Sequence, residues 1–175
     1  ASSFGIILLA VVNNRPQVLN LKQILEYFVL HRKEIVIRRT RFDLNKAEAR
    51  AHILEGLKVA LDNLDAVVKL IRQSKTPPEA RQRLMETFDL TVIQAQAILD
   101  MRLQRLTGLE RDKIVEEYEA VLKDIARFRE ILGIDRLVLG IIKNELDLLK
   151  GEFGDERRTQ IVTDTRELTI EDMIA

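Results

Sequence analysis

Apolar and polar positions along this chain follow two different periods, and the change of period divides it. Phe4–Val12 is a β-like apolar run, Asn13-Asn14 is a turn signal, and Arg15–Leu19 returns as a second strand. Two short strands are marginal in water, so this hairpin is expected to border further structure. Asn20 is a good N-cap, and Gln23 at the third helical position completes a capping box. From Leu21 the pattern turns helical and runs to about Gln73 with no Pro and one Gly, Gly56. Unbroken, ~50 residues rising ~1.5 Å each would span roughly 75 Å, with a kink expected near Glu26–Lys33.

The apolar positions of this helix are spaced for a seam. Ile35, Phe42, Ala49 and Ile53, then Ala60, Leu64, Val67 and Ile71, recur in steps of three, four or seven, with cationic Arg39 and Lys46 between them. A second long helix, Glu110–Gly151, carries Ile114, Tyr118, Val121, Ile125, Phe128 and Leu132 in a strict heptad. Val138, Ile142, Leu146, Leu149 and Phe153 continue it past Gly133-Ile134-Asp135, where the register shifts or the helix breaks.

Between the long helices lie three helix starts. Thr76-Pro77-Pro78-Glu79 joins an N-cap Thr to a Pro at the first helical position and a Glu at the third. Thr91-Val92-Ile93-Gln94 repeats the capping box before Ala95–Leu106, and Thr107-Gly108-Leu109-Glu110 repeats it again. The pattern predicts a mainly α fold: a long antiparallel coiled-coil arm, a small helical head, and a short β-containing base. The helix Thr91–Leu106 is apolar on two stripes. One runs through Val92, Ala95, Leu99, Leu103 and Leu106; the other through Ile98 and Met101, with Ile93, Ala97 and Arg105 nearby. One stripe packs on the arm, and the second calls for another cover, such as a partner chain.

Charge supports this pairing. The formal net charge is +0, yet His31–Arg50 holds seven cations against three acids, and Glu110–Glu156 holds thirteen acids against eight cations. Antiparallel pairing sets the basic near end of one helix beside the acidic far end of the other. Each exposed pair contributes only ~0.2–1 kcal/mol, so charge fixes orientation and the seam supplies most of the stability. A neutral chain is not coated in nucleic acid all round, although a local basic face is allowed. With no Cys there is no disulfide framework and no thiolate metal site. No apolar run reaches the ~18–20 residues of a membrane span. The chain lacks an initial Met and reads as a piece of a longer polypeptide.

Catalytic arrangements are not visible. The two histidines, His31 and His52, have no second ligand at metal-binding spacing. The seven glycines form no phosphate loop. A nucleophilic Tyr needs a cation nearby, but Tyr27 follows Glu26 and Tyr118 follows Glu117. A helix-turn-helix reader built on Thr91–Leu106 would present Val92-Ile93, poor in groups that read bases.

The string from Leu90 to Glu110, which includes Gln94-Ala95-Gln96-Ala97-Ile98-Leu99-Asp100-Met101-Arg102-Leu103, resembles the A subunit of DNA gyrase. So do His31-Arg32-Lys33-Glu34, Arg38-Arg39-Thr40, Ala51-His52-Ile53-Leu54-Glu55-Gly56-Leu57, and Phe153-Gly154-Asp155 before Arg157-Arg158-Thr159. The start Ser3-Phe4-Gly5 and the close Ile170-Glu171-Asp172-Met173-Ile174 fit as well, so the resemblance covers essentially the whole chain.

The resemblance implies the end of a tower domain at residues 1–30 and an outgoing coiled-coil helix at 31–75. It further implies a helical head with the lower dimer gate at 76–109, a returning helix at 110–153, and re-entry toward a missing C-terminal domain at 154–175. The expected interface residues are Leu90, Ile93, Ala97, Met101 and Arg105. The expected weak DNA-facing residues are Arg32, Lys33, Arg38, Arg39, Arg41, Lys46 and Arg50. The family's nucleophilic tyrosine follows an arginine, and no Arg-Tyr pair occurs here, so no catalytic residue is carried over. No cofactor is expected in this chain; ATP and magnesium belong to the partner subunit. The implied partners are a second copy through the head, the B subunit of gyrase and, transiently, double-stranded DNA. A bacterial cytoplasmic, nucleoid-associated setting without membrane contact follows. The alternatives are the A subunit of topoisomerase IV, or a coiled-coil spacer unrelated to DNA.

Overall fold

The computed structural model describes residues 5–101 and 108–159, with 108–110 described by backbone only. The elements in chain order are β1 Leu8–Val12, β2 Arg15–Leu19, α1 Leu21–Asp62, α2 Leu64–Gln73, α3 Pro77–Phe88, α4 Val92–Leu99, α5 Gly108–Gly133 and α6 Asp135–Phe153. The fold is therefore mainly α with one small antiparallel sheet. Its contacts divide it into two compact units, residues 1–36 with 139–175, and residues 37–138.

In the first unit, β1 and β2 pair from Leu8↔Leu19 to Val12↔Arg15. Asn13 and Asn14 both have positive φ, 49° and 60°, the backbone a tight two-residue hairpin turn requires and Asn tolerates. Val12 and Leu19 are buried on one face, while Leu9, Val11 and Val18 are exposed on the other. The capping box at Asn20 forms as its sequence indicates. Gln23 N–H donates to Asn20 Oδ1 at 2.9 Å, and Asn20 N–H donates to Gln23 Oε1 at 3.0 Å. Arg32 donates to Glu145, tying α1 to α6 in the orientation that the charge bias indicates.

In the second unit, α1 and α5 lie antiparallel. Arg111 bonds Asp62 at 2.6 Å, Arg50 bonds Glu117 at 2.6–2.7 Å, and Arg129 bonds Glu48 at 2.7 Å, so residue number rises on one helix as it falls on the other. On α5 the heptad is visible as burial. Ile114 and Ile125 are buried, and Tyr118, Val121, Phe128 and Leu132 are half-buried. Beyond the break at Ile134, Val138 and Ile142 stay buried but Leu146, Leu149 and Phe153 are exposed.

On α1 the seam differs from the one read in sequence. Phe42 is 67% exposed and Ala49 is exposed, whereas Val36, Thr40, Ala51, Leu54, Leu57 and Leu61 are buried. The physical reason is charge. A seam through Phe42 and Ala49 also takes in Arg39 and Lys46, and the adopted stripe leaves both exposed.

The helix also stops earlier than its composition indicates. Nothing breaks it within Glu26–Lys33; Asn63 interrupts it instead, at φ −120° and ψ 35°. Asn63 Nδ2 and its backbone N–H both donate to the Val59 carbonyl, at 3.0 and 3.2 Å. Its side chain thus competes for a helical acceptor, which is how Asn ends helices.

The unit's core gathers Leu54, Leu57, Ala60 and Leu61 of α1 with Val67, Leu70, Leu84, Leu90, Ala95, Ile98 and Ile114. Gly56 lies where α1 meets α4: a Cβ there would stand 2.6 Å from Gln94 Cβ. Gly56→Ala is therefore expected to lower stability by about 1–3 kcal/mol, read as a shifted urea midpoint with unchanged slope. For the pairing of α1 with α5, spin labels at Asp62 and Asp112 should be close and labels at Asp62 and Glu130 far apart. The reverse order would exclude the antiparallel arrangement.

Candidate functional site

Residues 76–101 hold two short helices, α3 and α4, whose starts are fixed by side chains. Thr76 Oγ1 accepts from Glu79 N–H at 3.4 Å, and Glu79 Oε2 accepts from Lys75 N–H at 3.0 Å, so α3 starts where its Thr-Pro-Pro-Glu string indicates. It ends at Asp89, in the left-handed region at φ 52°, and the chain turns so that Leu90 N–H reaches the Met85 carbonyl at 3.2 Å. The capping box at Thr91 then opens α4, with both reciprocal bonds present. The third predicted cap, at Thr107, lies outside the described residues.

Helix α4 is shorter than its apolar pattern indicates. It closes at Leu99, where the N–H of Asp100 returns to Gln96 and Ile98 and that of Met101 returns to Ile98. Leu103, Arg105 and Leu106 lie outside the described residues. The two stripes are also sorted differently. Gln94, Ala95 and Ile98 are buried in the chain's own core, while Val92 and Ile93, one from each stripe, are 51% and 60% exposed.

Of the expected interface residues, Leu90 is 7% exposed and sits inside the core. Ala97 and Met101 are half-buried against that core. Only Ile93 presents a large apolar surface, and Val92, not singled out for the interface in sequence, joins it. Among the described residues of α2, α3 and α4, these two are the exposed large hydrophobic side chains.

Most cations of the basic stretch of α1 are engaged within the chain. Arg32 bonds Glu145, Arg50 bonds Glu117, and Lys33, Arg38 and Arg39 are each engaged. Arg41 and Lys46 stand exposed without an ion pair among the described residues, and exposed Phe42 lies between them in sequence. Reading only sequence neighbours hid two further contacts. Tyr118, which follows Glu117, has Lys58 Nζ 5.8 Å from its ring centre. His52 binds no second histidine; its Nε2 stands 2.7 Å from Thr91 Oγ1, and Gln94 Nε2 donates to its backbone carbonyl at 2.8 Å. Both contacts join residues of different helices, which no local spacing signals.

The hydroxyl set beside an imidazole in these contacts, Thr91 Oγ1 with His52 Nε2, belongs to the cap of α4. The exposed feature is a short helix, α4, capped at its start and carrying an apolar pair there, packed where α1 ends and α5 begins. Among the described residues, no helix is long and apolar enough to cross a membrane.

Comparison with known proteins agrees with that reading of the sequence. The family described as the A subunit of DNA gyrase/topoisomerase IV matches residues 1–147. The A subunit of DNA gyrase from Clostridium acetobutylicum is 54% identical over 172 residues, 98% of this chain and 21% of that protein. That of Halalkalibacterium halodurans is 55% identical over 173 residues, 99% of this chain and 21% of that protein. That of Streptococcus pneumoniae is 54% identical over 161 residues, 92% and 20% respectively. The chain thus spans about a fifth of the length of these relatives. With the match covering most of its length, the chain belongs to the family of DNA gyrase/topoisomerase IV A subunits.

Proposed function

We propose that this chain is the exit-gate portion of a gyrase-type A subunit, dimerising through its head and contributing to a whole enzyme that introduces negative supercoils by ATP-dependent double-strand passage. The observation that carries the proposal is the exposed Val92–Ile93 pair on a helix start that caps and core contacts hold rigid. A rigid apolar pair is the kind of surface that a second copy covers at little conformational cost. In this reading, residues 76–109 are the gate head, and 31–75 and 110–153 are the arm that carries it. Residues 1–30 end a tower domain, and 154–175 lead back toward the missing part of the polypeptide. ATP and magnesium act on the partner B subunit, in a bacterial cytoplasm. The A subunit of topoisomerase IV is the second reading, favoured by the shared family description.

Chemistry is assigned elsewhere in the parent protein. Tyr118 is half-buried in the seam, and Tyr27 follows an acid, so neither is placed as the nucleophile. The role of this chain is to hold two copies together below the cleaved duplex and to let a transported duplex leave. Arg41 and Lys46 would touch that duplex through phosphates, weakly and without sequence choice.

Ile93→Glu should weaken the dimer by about 2 kcal/mol or more, because the second copy would have to bury an unpaired charge. Sedimentation showing an unchanged dimer would exclude this face. Duplex binding should fall steeply between about 50 and 200 mM salt, and Arg41→Glu with Lys46→Glu should weaken it further at the lower salt. Binding that ignores both salt and these substitutions would remove the phosphate contact. The chain alone should form no covalent adduct with DNA, and an adduct lost on Tyr118→Phe or Tyr27→Phe would overturn the non-catalytic assignment.

A further inference from the structure

The start of α4 carries the apolar pair, and three side chains bind that start to α1. Thr91 Oγ1 lies 2.7 Å from His52 Nε2 and accepts from Gln94 N–H at 3.3 Å. Its own hydrogen reaches Gln94 Oε1, 3.3 Å away, which also accepts from Thr91 N–H at 3.0 Å. Gln94 Nε2 donates to the His52 carbonyl at 2.8 Å and lies 3.4 Å from His52 Nδ1. A hydroxyl offers one hydrogen and two lone pairs. All three are used here only when His52 Nε2 carries the ring proton, so that Nδ1 is left to face the second N–H of Gln94.

The network closes in that one tautomer with no donor or acceptor left over. Gln94 is its buried member, only 5% exposed, while His52 is half-buried and Thr91 stands at the surface. Gly56, one helical turn beyond His52, makes the approach possible, because a Cβ there would fall 2.6–2.7 Å from Gln94 Cβ and Cγ. A helix cap needs only Thr91 and Gln94. The bonds to His52 add something else: they join α4 to a helix some forty residues earlier in the chain, at one rotational setting.

We infer that His52, Thr91 and Gln94 form a clasp that fixes the roll of α4 on α1 and so positions Val92 and Ile93 for the dimer contact. The inference rests on the head being the dimer interface. His52 and Gln94 are positioning residues, acting through the orientation of α4. Thr91 anchors the residue immediately before the apolar pair, so any roll released there passes directly into Val92 and Ile93.

The test compares His52→Phe, which keeps a ring and loses both nitrogens, with His52→Gln, which restores an N–H near the position of Nε2. Dimer dissociation is measured by sedimentation on the 175-residue chain, with Ile93→Glu as the reference. Long-range proton–nitrogen spectra read the His52 tautomer. His52→Phe should raise the dimer Kd by about tenfold, the scale of the two side-chain hydrogen bonds that the ring makes. His52→Gln should recover most of that loss, helix content should be unchanged in both, and the neutral ring of the wild type should carry its proton on Nε2. Should His52→Phe fail to fold, Thr91→Val against Thr91→Ser puts the same question, since Ser keeps the hydroxyl.

An unchanged Kd in His52→Phe, alongside a dimer broken by Ile93→Glu, would overturn the clasp and leave the interface standing. Equal losses in His52→Phe and His52→Gln, or a proton on Nδ1, would also overturn it. Wild-type dimerisation of Ile93→Glu would remove the interface reading and the clasp's role together.

Discussion

Helices of ten, twelve and eight residues, such as α2, α3 and α4, are too short to persist alone in water, so α2 and the head both depend on what they pack against. That support is a small set of leucines. Leu54, Leu57 and Leu61 of α1 project into the cluster that also takes Leu84, Leu90, Ala95 and Ile98 from the head and Ile114 from α5. Fully burying one such side chain contributes about 1.5–3 kcal/mol, several times what an exposed ion pair contributes. The same leucines serve the arm and the head at once. Pairing of the long helices and formation of the head are therefore one cooperative event, because removing α5 would expose the surface on which the head is built.

Ion pairs have a different part. Arg50–Glu117, Arg111–Asp62 and Arg129–Glu48 are partly or largely exposed, so their joint effect on stability is small. Their value lies in discrimination. A heptad seam with similar residues at successive layers tolerates a slip of one turn, and each slip would break these pairs. The pairs do not all follow the overall charge bias of the helices: Arg50–Glu117 has the basic partner on α1, while Asp62–Arg111 and Glu48–Arg129 have the acidic one. Alternation of sign along the pairing is a more selective code than a uniformly basic helix against a uniformly acidic one.

Local signals in the sequence were transferred to the structure nearly intact. The Asn13-Asn14 turn, the boxes at Asn20 and Thr91, the Thr-Pro-Pro-Glu start of α3 and the heptad of α5 each depend on residues within one or two turns, and each formed. What was illegible is what a neighbouring element decides. On α1, two adjacent stripes have acceptable spacing, and only the cost of burying Arg39 and Lys46 selects between them. On α4, apolarity all round hides which side meets the core, so Ile98 reads as free and Val92 as covered, the opposite of their burial. The His52–Thr91–Gln94 contact was invisible for the same reason, although Gln94 was already marked as half of a capping box.

The helical ladder is interrupted at two places among the described residues. Asn63 separates α1 from α2, and Ile134 separates α5 from α6. At each junction the interrupting residue accepts the first bond of the helix that follows, from Val67 N–H to the Asn63 carbonyl at 3.0 Å and from Leu137 N–H to the Ile134 carbonyl at 2.9 Å. A bend there costs few additional hydrogen bonds, because the regular ladder is already broken, whereas bending α1 at His52 or Gly56 would disturb a full ladder and the contacts of Gln94. Asn63 and Ile134 are also exposed and are not themselves part of the core. The chain thus separates stiffness from compliance: α1 and α4 are joined through buried Gln94, and both interruptions lie away from that contact.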